Sequence, residues 1–148
     1  MAKSISKSHN VCVLLYHLVC PAKHRRKIFT DEVPKSLLLI CFEITAKHEI
    51  EFIEIGTDAD QMHFLIHGIP RMSPSGIVNI VKSITAREIF RLHPEVKNML
   101  WGGHIWSSGY YINKVGQHGT EEVIKRDIEN QGRVTEYKKI YSNQLRLF

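Results

Sequence analysis

Glu51-Phe52-Ile53-Glu54-Ile55-Gly56-Thr57-Asp58-Ala59-Asp60-Gln61-Met62-His63-Phe64-Leu65-Ile66-His67 reads as a β-hairpin. In its first arm Phe52 and Glu54 alternate against Ile53 and Ile55, the period of a strand with two unlike faces. Gly56–Asp60 is rich in residues that favour turns and reverses the chain. Gln61–His67 returns as the second strand, on which Gln61 and His63 stand at i and i+2 and share a face. His67 lies on the same face and reads as a structural histidine.

Upstream of the hairpin, Val33, Leu37, Ile40, Cys41 and Ile44 follow helical spacing. Pro34 suits the first turn, with Thr30 or Asp31 as caps. Before that helix, Val11–Val19 is rich in Val and Leu and reads as a buried strand ended by Pro21. Downstream, Ser73 or Ser75 can cap a second helix whose apolar face is Ile77, Ile80, Val81, Ile84 and Leu92, with Lys82, Ser83 and Arg87 off it. Gly102-Gly103 breaks the chain before a fourth strand, His104–Ile112, on which His104 and Trp106 share a face. Gly116 and Gly119 make another break. Thr120 then caps a last helix with Glu121 and Glu122 in its first turn, the sign its dipole favours. Residues 132–148 read as a polar tail or short packing arm.

The order βαββαβα, with a central hairpin, predicts an α+β, ferredoxin-like antiparallel sheet with helices on one face. The 148 residues make one domain, with its core over about residues 9–132. At 43% hydrophobic and 24% charged, the composition is globular and excludes a disordered chain. Cys12, Cys20 and Cys41 lack metal-type spacing, and Cys12 and Cys41 fall in apolar runs, so the thiols read as reduced core residues of an intracellular protein. The longest apolar run, Val11–Cys20, is too short to span a bilayer.

Charge is unevenly distributed. The net charge is +5, yet the first thirty residues carry six Lys or Arg and no acid. Lys23, Arg25, Arg26 and Lys27 cluster after the first strand, and Lys82 and Arg87 lie off the apolar face of the second helix. Such groups neutralise phosphates without reading sequence. Asp127 and Gln131 stand at i and i+4 of the last helix and share a face. Were that face to meet Gln61 and His63, two amides, an imidazole and a carboxylate would converge on a site suited to a divalent metal, Mg²⁺ or Mn²⁺. Tyr110 and Tyr111 offer packing or a base-stacking surface.

Several flanking segments are more specific than these spacings. Tyr16-His17-Leu18-Val19 with Cys20-Pro21-Ala22-Lys23-His24-Arg25-Arg26-Lys27 resembles the first strand and basic loop of insertion-sequence-200-type, single-tyrosine transposases. Asp60-Gln61-Met62-His63-Phe64-Leu65 stands where that family carries Asp-His-hydrophobic-His, its metal motif. Trp106, Gly109-Tyr110-Tyr111 and Val115-Gly116 resemble its fourth strand, and Ile128-Glu129-Asn130-Gln131 the end of its catalytic helix. The match runs from about His9 to Gly132.

The resemblance implies a ferredoxin-like homodimer in the prokaryotic cytoplasm that recognises hairpins in single-stranded DNA. In the family a helix tyrosine attacks a DNA phosphate, and a divalent metal held by two histidines and a helix glutamine polarises that phosphate. Carried over by position, the second histidine is His63 and the glutamine is Gln131. The first histidine is replaced by Gln61 and the tyrosine by Asp127. An amide oxygen ligates a hard cation less well than imidazole binds a transition metal, so the metal is expected to be weakly held. A carboxylate attacking a phosphodiester would give a high-energy acyl phosphate, so the expectation is DNA binding with impaired strand transfer. Two other readings stay open: metal-dependent nicking with Asp127 as ligand or base, and a ferredoxin-like interaction module with no nucleic-acid role.

Overall fold

The hairpin over residues 51–67 lies within a five-stranded, wholly antiparallel sheet in the order β4-β1-β3-β2-β5. The computed structural model describes residues 14–100, 103–115 and 138–142. Along the chain these form β1 (Leu15–Pro21), α1 (Val33–His48), β2 (Glu51–Asp58), β3 (Gln61–His67), α2 (Pro74–Leu92), a short α3 (Pro94–Asn98), β4 (Tyr111–Val115) and β5 (Lys138–Ser142). The architecture is α+β, as predicted. The helix expected after Thr120 lies outside the described residues.

Register assigns the two faces. Leu18 pairs with Phe64 and Cys20 with Met62, while Ile55 also pairs with Phe64. These residues form one core cluster with Val33, Leu37, Ile40, Cys41 and Ile44 of α1 and with Ile77, Val78, Val81 and Ile89 of α2. Both long helices therefore cover one face. Each fully buried Leu, Ile or Phe of that layer contributes about 1.5–3 kcal/mol by leaving water. Leu15, Val19 and Leu65 are buried but stand outside this cluster, on the opposite face. That second face also carries His17, Asp58, Gln61 and His63.

Several local expectations needed correction. The strict alternation of Phe52 with Glu54 fails because β2 bulges between them, which turns Phe52 and Ile55 to the helices and Glu54 to the other face. No side chain caps α1: the Val33 N–H is taken by the Thr30 carbonyl at 3.1 Å, and Asp31 adopts φ 57°. Ser73 does cap α2, its Oγ accepting the Gly76 N–H at 3.1 Å. The buried stripe of α2 is Ile77, Val78, Val81, Thr85 and Ile89, with Leu92 43% exposed, so the face is rotated from the predicted one. The fourth strand begins at Tyr111; residues 103–110 form a loop joined to the sheet by one bridge, Ala22↔Trp106. Part of the predicted tail is ordered, as β5 pairs along β2 and Lys139 meets Glu54 at 3.4 Å.

Candidate functional site

Antiparallel pairing brings the polar residues of the second face together. Pro21 pairs with Gln61, Val19 with His63, and Asp58 with Gln61 across the hairpin. The turn is only Ala59-Asp60, shorter than the predicted five residues, so Asp58 is the last residue of β2 and faces Gln61 directly. Gln61 Nε2 donates to Asp58 Oδ2 at 2.8 Å, and His63 Nε2 lies 3.3 Å from both atoms. Asp58 and Gln61 are 2% exposed and His63 1%. His17 stacks on His63 with ring centroids 5.6 Å apart, its Nε2 at 3.5 Å from His63 Nδ1. Tyr111 closes on the far edge of His17, ring to ring at 6.3 Å.

The orientation of the Gln61 amide follows from its neighbours. A carboxylate only accepts and a guanidinium only donates, so the amide nitrogen faces Asp58 and its oxygen faces Arg25. Arg25 Nη2 reaches that oxygen at 3.4 Å, and Arg25 Nε meets Asp60 Oδ2 at 3.2 Å. Arg25 itself sits at φ 53°, next to His24 at φ 57°, in a 3₁₀ turn over Lys23–Arg25. Two consecutive left-handed non-glycine residues cost backbone energy, and here they turn the basic loop back onto the hairpin.

Whether a metal suits this face can be judged from the donor set. Cis ligands of an octahedral Mg²⁺ at 2.0–2.1 Å stand about 3 Å apart. Asp58 Oδ2 and His63 Nε2 stand 3.3 Å apart, and Gln61 Nε2 lies 2.8 and 3.3 Å from them. Asp58 Oδ2 and His63 Nε2 would suit two such positions, whereas the Gln61 atom that faces them is an amide nitrogen, which does not ligate. Gln61 would first have to turn its amide over and leave Arg25 and Asp58. Among the described residues no group of three His, Cys, Asp or Glu is placed to hold a metal. Asp127 and Gln131 lie outside the described residues.

The other predicted site residues separate into two groups. Lys82 joins Lys23 along an open cleft, where Lys82 Nζ donates to the Ser107 carbonyl at 2.9 Å and stands 5.3 Å from the Tyr110 ring centroid. Arg87 turns away toward α1, its Nε 3.5 Å from Glu88 and its side chain beside Glu43 and Lys47. Arg26 and Lys27 are exposed next to the Arg25 turn. His67 Nδ1 lies 3.3 Å from Glu51 Oε1. His104 is exposed while Trp106 is buried. Cys20 and Cys41 are free, buried thiols. Burial pushes Cys20 up to about 12, against the opposing pull of Lys82, and pushes Cys41 higher still, so neither is a nucleophile.

Comparison with known proteins identifies the family. The sequence pattern of the family described as "Transposase IS200 like" matches residues 10–131. The ISDra2 transposase TnpA of Deinococcus radiodurans is 32% identical over 118 residues, covering 80% of this chain and 84% of that protein. The transposase for insertion sequence element IS200 of Salmonella typhimurium is 24% identical over 131 residues, covering 87% and 86%. A crystal structure of a transposase-like protein from D. radiodurans R1 superposes with TM-score 0.70 at 30% identity, over 85% of this chain and 96% of that one. A REP-associated tyrosine transposase bound to a REP hairpin superposes with TM-score 0.55 at 12% identity, over 88% and 76%, and shares the fold. The chain belongs to the IS200-like transposase family.

Proposed function

We propose that the protein binds hairpin-bearing single-stranded DNA, acting as a homodimer in the prokaryotic cytoplasm, and that its native sequence forms no stable covalent intermediate with that DNA. One observation carries the binding half. The basic loop Lys23–Lys27 is joined to the polar face through Arg25, which contacts both Asp60 and Gln61. Arg26 and Lys27, exposed beside that turn, are placed to meet a phosphate. The family relationship supports the same ligand, since one fold neighbour is bound to a REP hairpin.

The chemical half rests on position 127. Asp127 stands where the family has its tyrosine, and attack by a carboxylate would give an acyl phosphate open to hydrolysis. A divalent Mg²⁺ or Mn²⁺ on this face would polarise a phosphate oxygen. His63, Asp58 and Gln131 would hold it, with Gln61 as a weak fourth. His17 packs on the His63 ring, with its Nε2 3.5 Å from His63 Nδ1. Arg25 opposes that use of Gln61 by holding its amide oxygen.

The test is a gel-shift titration with a hairpin strand and an unstructured strand of equal length. The hairpin should bind better, with affinity falling steeply as salt rises. Changing Arg25, Arg26 and Lys27 to Ala should weaken binding and reduce the salt slope by roughly 2, at about 0.7 per single-strand phosphate contact. Equal, salt-independent affinity for both strands would refute the reading.

A further inference from the structure

Gln61 stands where the family's metal motif has its first histidine, and both ends of its amide are engaged by charged neighbours. The nitrogen donates to Asp58 Oδ2 at 2.8 Å and lies 3.3 Å from His63 Nε2. The oxygen accepts from Arg25 Nη2 at 3.4 Å. A planar amide cannot turn one end without turning the other. Inverting it would set its oxygen against the Asp58 carboxylate, two acceptors face to face. It would also set its NH2 group against a guanidinium that only donates. Gln61 is buried, so little water reaches it to relieve either clash.

Arg25 is anchored for this contact from its other side. Its Nε lies 3.2 Å from Oδ2 of Asp60, a buried carboxylate next to Gln61 in the chain. One planar fork thus spans two adjacent residues of the hairpin, which the single ammonium of a lysine does not do. The backbone is strained to allow it, with His24 and Arg25 at φ 57° and 53°. Such strain persists only where surrounding contacts over-determine it, and the fork supplies two of them. The consequence falls on Asp58 and His63. A cation seated between Asp58 Oδ2 and His63 Nε2 would meet the positive end of the Gln61 N–H, where a carbonyl oxygen would ligate it.

We propose that Arg25 is a positioning residue that holds this face in a cation-excluding state. By keeping the Gln61 oxygen, it keeps the amide nitrogen turned to Asp58 and His63, in the place a divalent metal would take. Cation binding must first break this hold, and is weak for that reason. The inference rests on the metal half of the reading above and adds the residue that sets its strength.

The experiment measures Mn²⁺ affinity by calorimetry for the native protein, Arg25→Ala, Gln61→Ala and the double variant. The Arg25 side chain is 45% exposed, so its loss leaves the core intact. Arg25→Ala should tighten Mn²⁺ binding about tenfold, the low end for a hydrogen bond from a charged donor. In the Gln61→Ala background the same change should do little, because the amide through which Arg25 acts is gone. A gain of equal size in both backgrounds would show that Arg25 only repels the cation by its charge, and would overturn the positioning role. A second readout needs no metal. The Gln61 side-chain NH2 resonances, assigned by their loss in Gln61→Ala, should exchange slowly with solvent in the native protein and faster in Arg25→Ala. Exchange that Arg25→Ala leaves unchanged would also overturn the proposal. Mn²⁺ binding by Gln61→His with no gain in Arg25→Ala would overturn the role of Arg25 alone. No Mn²⁺ binding by any of these proteins, Gln61→His included, would overturn the metal reading itself.

Discussion

Thr85→Val removes one oxygen from the centre of the molecule and leaves its volume nearly unchanged. The Thr85 hydroxyl is fully buried; it accepts the Trp106 indole N–H at 3.0 Å and donates to Val81 O at 2.6 Å. Loss of the donation costs little, because the Val81 carbonyl already accepts the helical bond of residue 85. Loss of the acceptor strands a buried indole N–H, at about 1–3 kcal/mol. For a domain of this size that is a fall in Tm of roughly 2–10 °C. The assay is urea unfolding followed by far-UV and near-UV circular dichroism, with Trp106→Phe and the double variant completing a cycle. A coupling energy of about 1 kcal/mol between the two positions is expected. A Thr85→Val cost below about 0.5 kcal/mol, or no coupling, would refute the view that this bond fixes the Trp106 ring.

Three further outcomes follow from the geometry. Stability should fall as pH rises above 9, because the buried Cys20 and Cys41 thiols stay protonated while the unfolded thiols ionise. Unfolding free energies from urea titrations between pH 8 and 10 should fall less steeply in Cys20→Ala, by up to about 1.4 kcal/mol per pH unit. Calorimetric titration with Mn²⁺ should show weak binding that both His63→Ala and Asp58→Asn abolish; tight binding that survives both would place the metal elsewhere. Gly68→Ala should destabilise by about 1–3 kcal/mol, since its Cβ would stand 2.7 Å from Tyr16 Cε2 and 3.1 Å from Leu14 Cβ, and thermal melts would report it.

Much of this fold is legible because periodicity survives into the structure where packing is regular. Val33, Leu37, Ile40, Cys41 and Ile44 are all buried at the spacing that first marked them. Gln61 and His63 share a face because β3 carries no bulge. Legibility fails where one residue shifts phase. The bulge beside Ile53 arises from tertiary pairing and leaves no mark in an alternating run of Phe, Ile and Glu. Thr85 looks polar in sequence and is taken into the core by a tryptophan twenty-one residues away. Asp58 escaped notice because it precedes the motif and reads as a turn residue. Only the two-residue turn makes it the partner of Gln61. His17 lies on another strand, and register alone brings it to His63. Lys82 and Arg87 meet different neighbours because five residues of helix separate them.

Covalent attachment of DNA is the most direct measure of what the changes at positions 61 and 127 have done. A hairpin strand that the protein binds is incubated with Mn²⁺, and the products are run on a denaturing gel. The native protein should give no band retarded by attached DNA. Asp127→Tyr alone should give little, and Asp127→Tyr with Gln61→His the most, exceeding the sum of the two single changes because nucleophile and metal act on one transition state. An adduct formed by the native protein would contradict the account and show that a nucleophile other than a tyrosine at position 127 is at work.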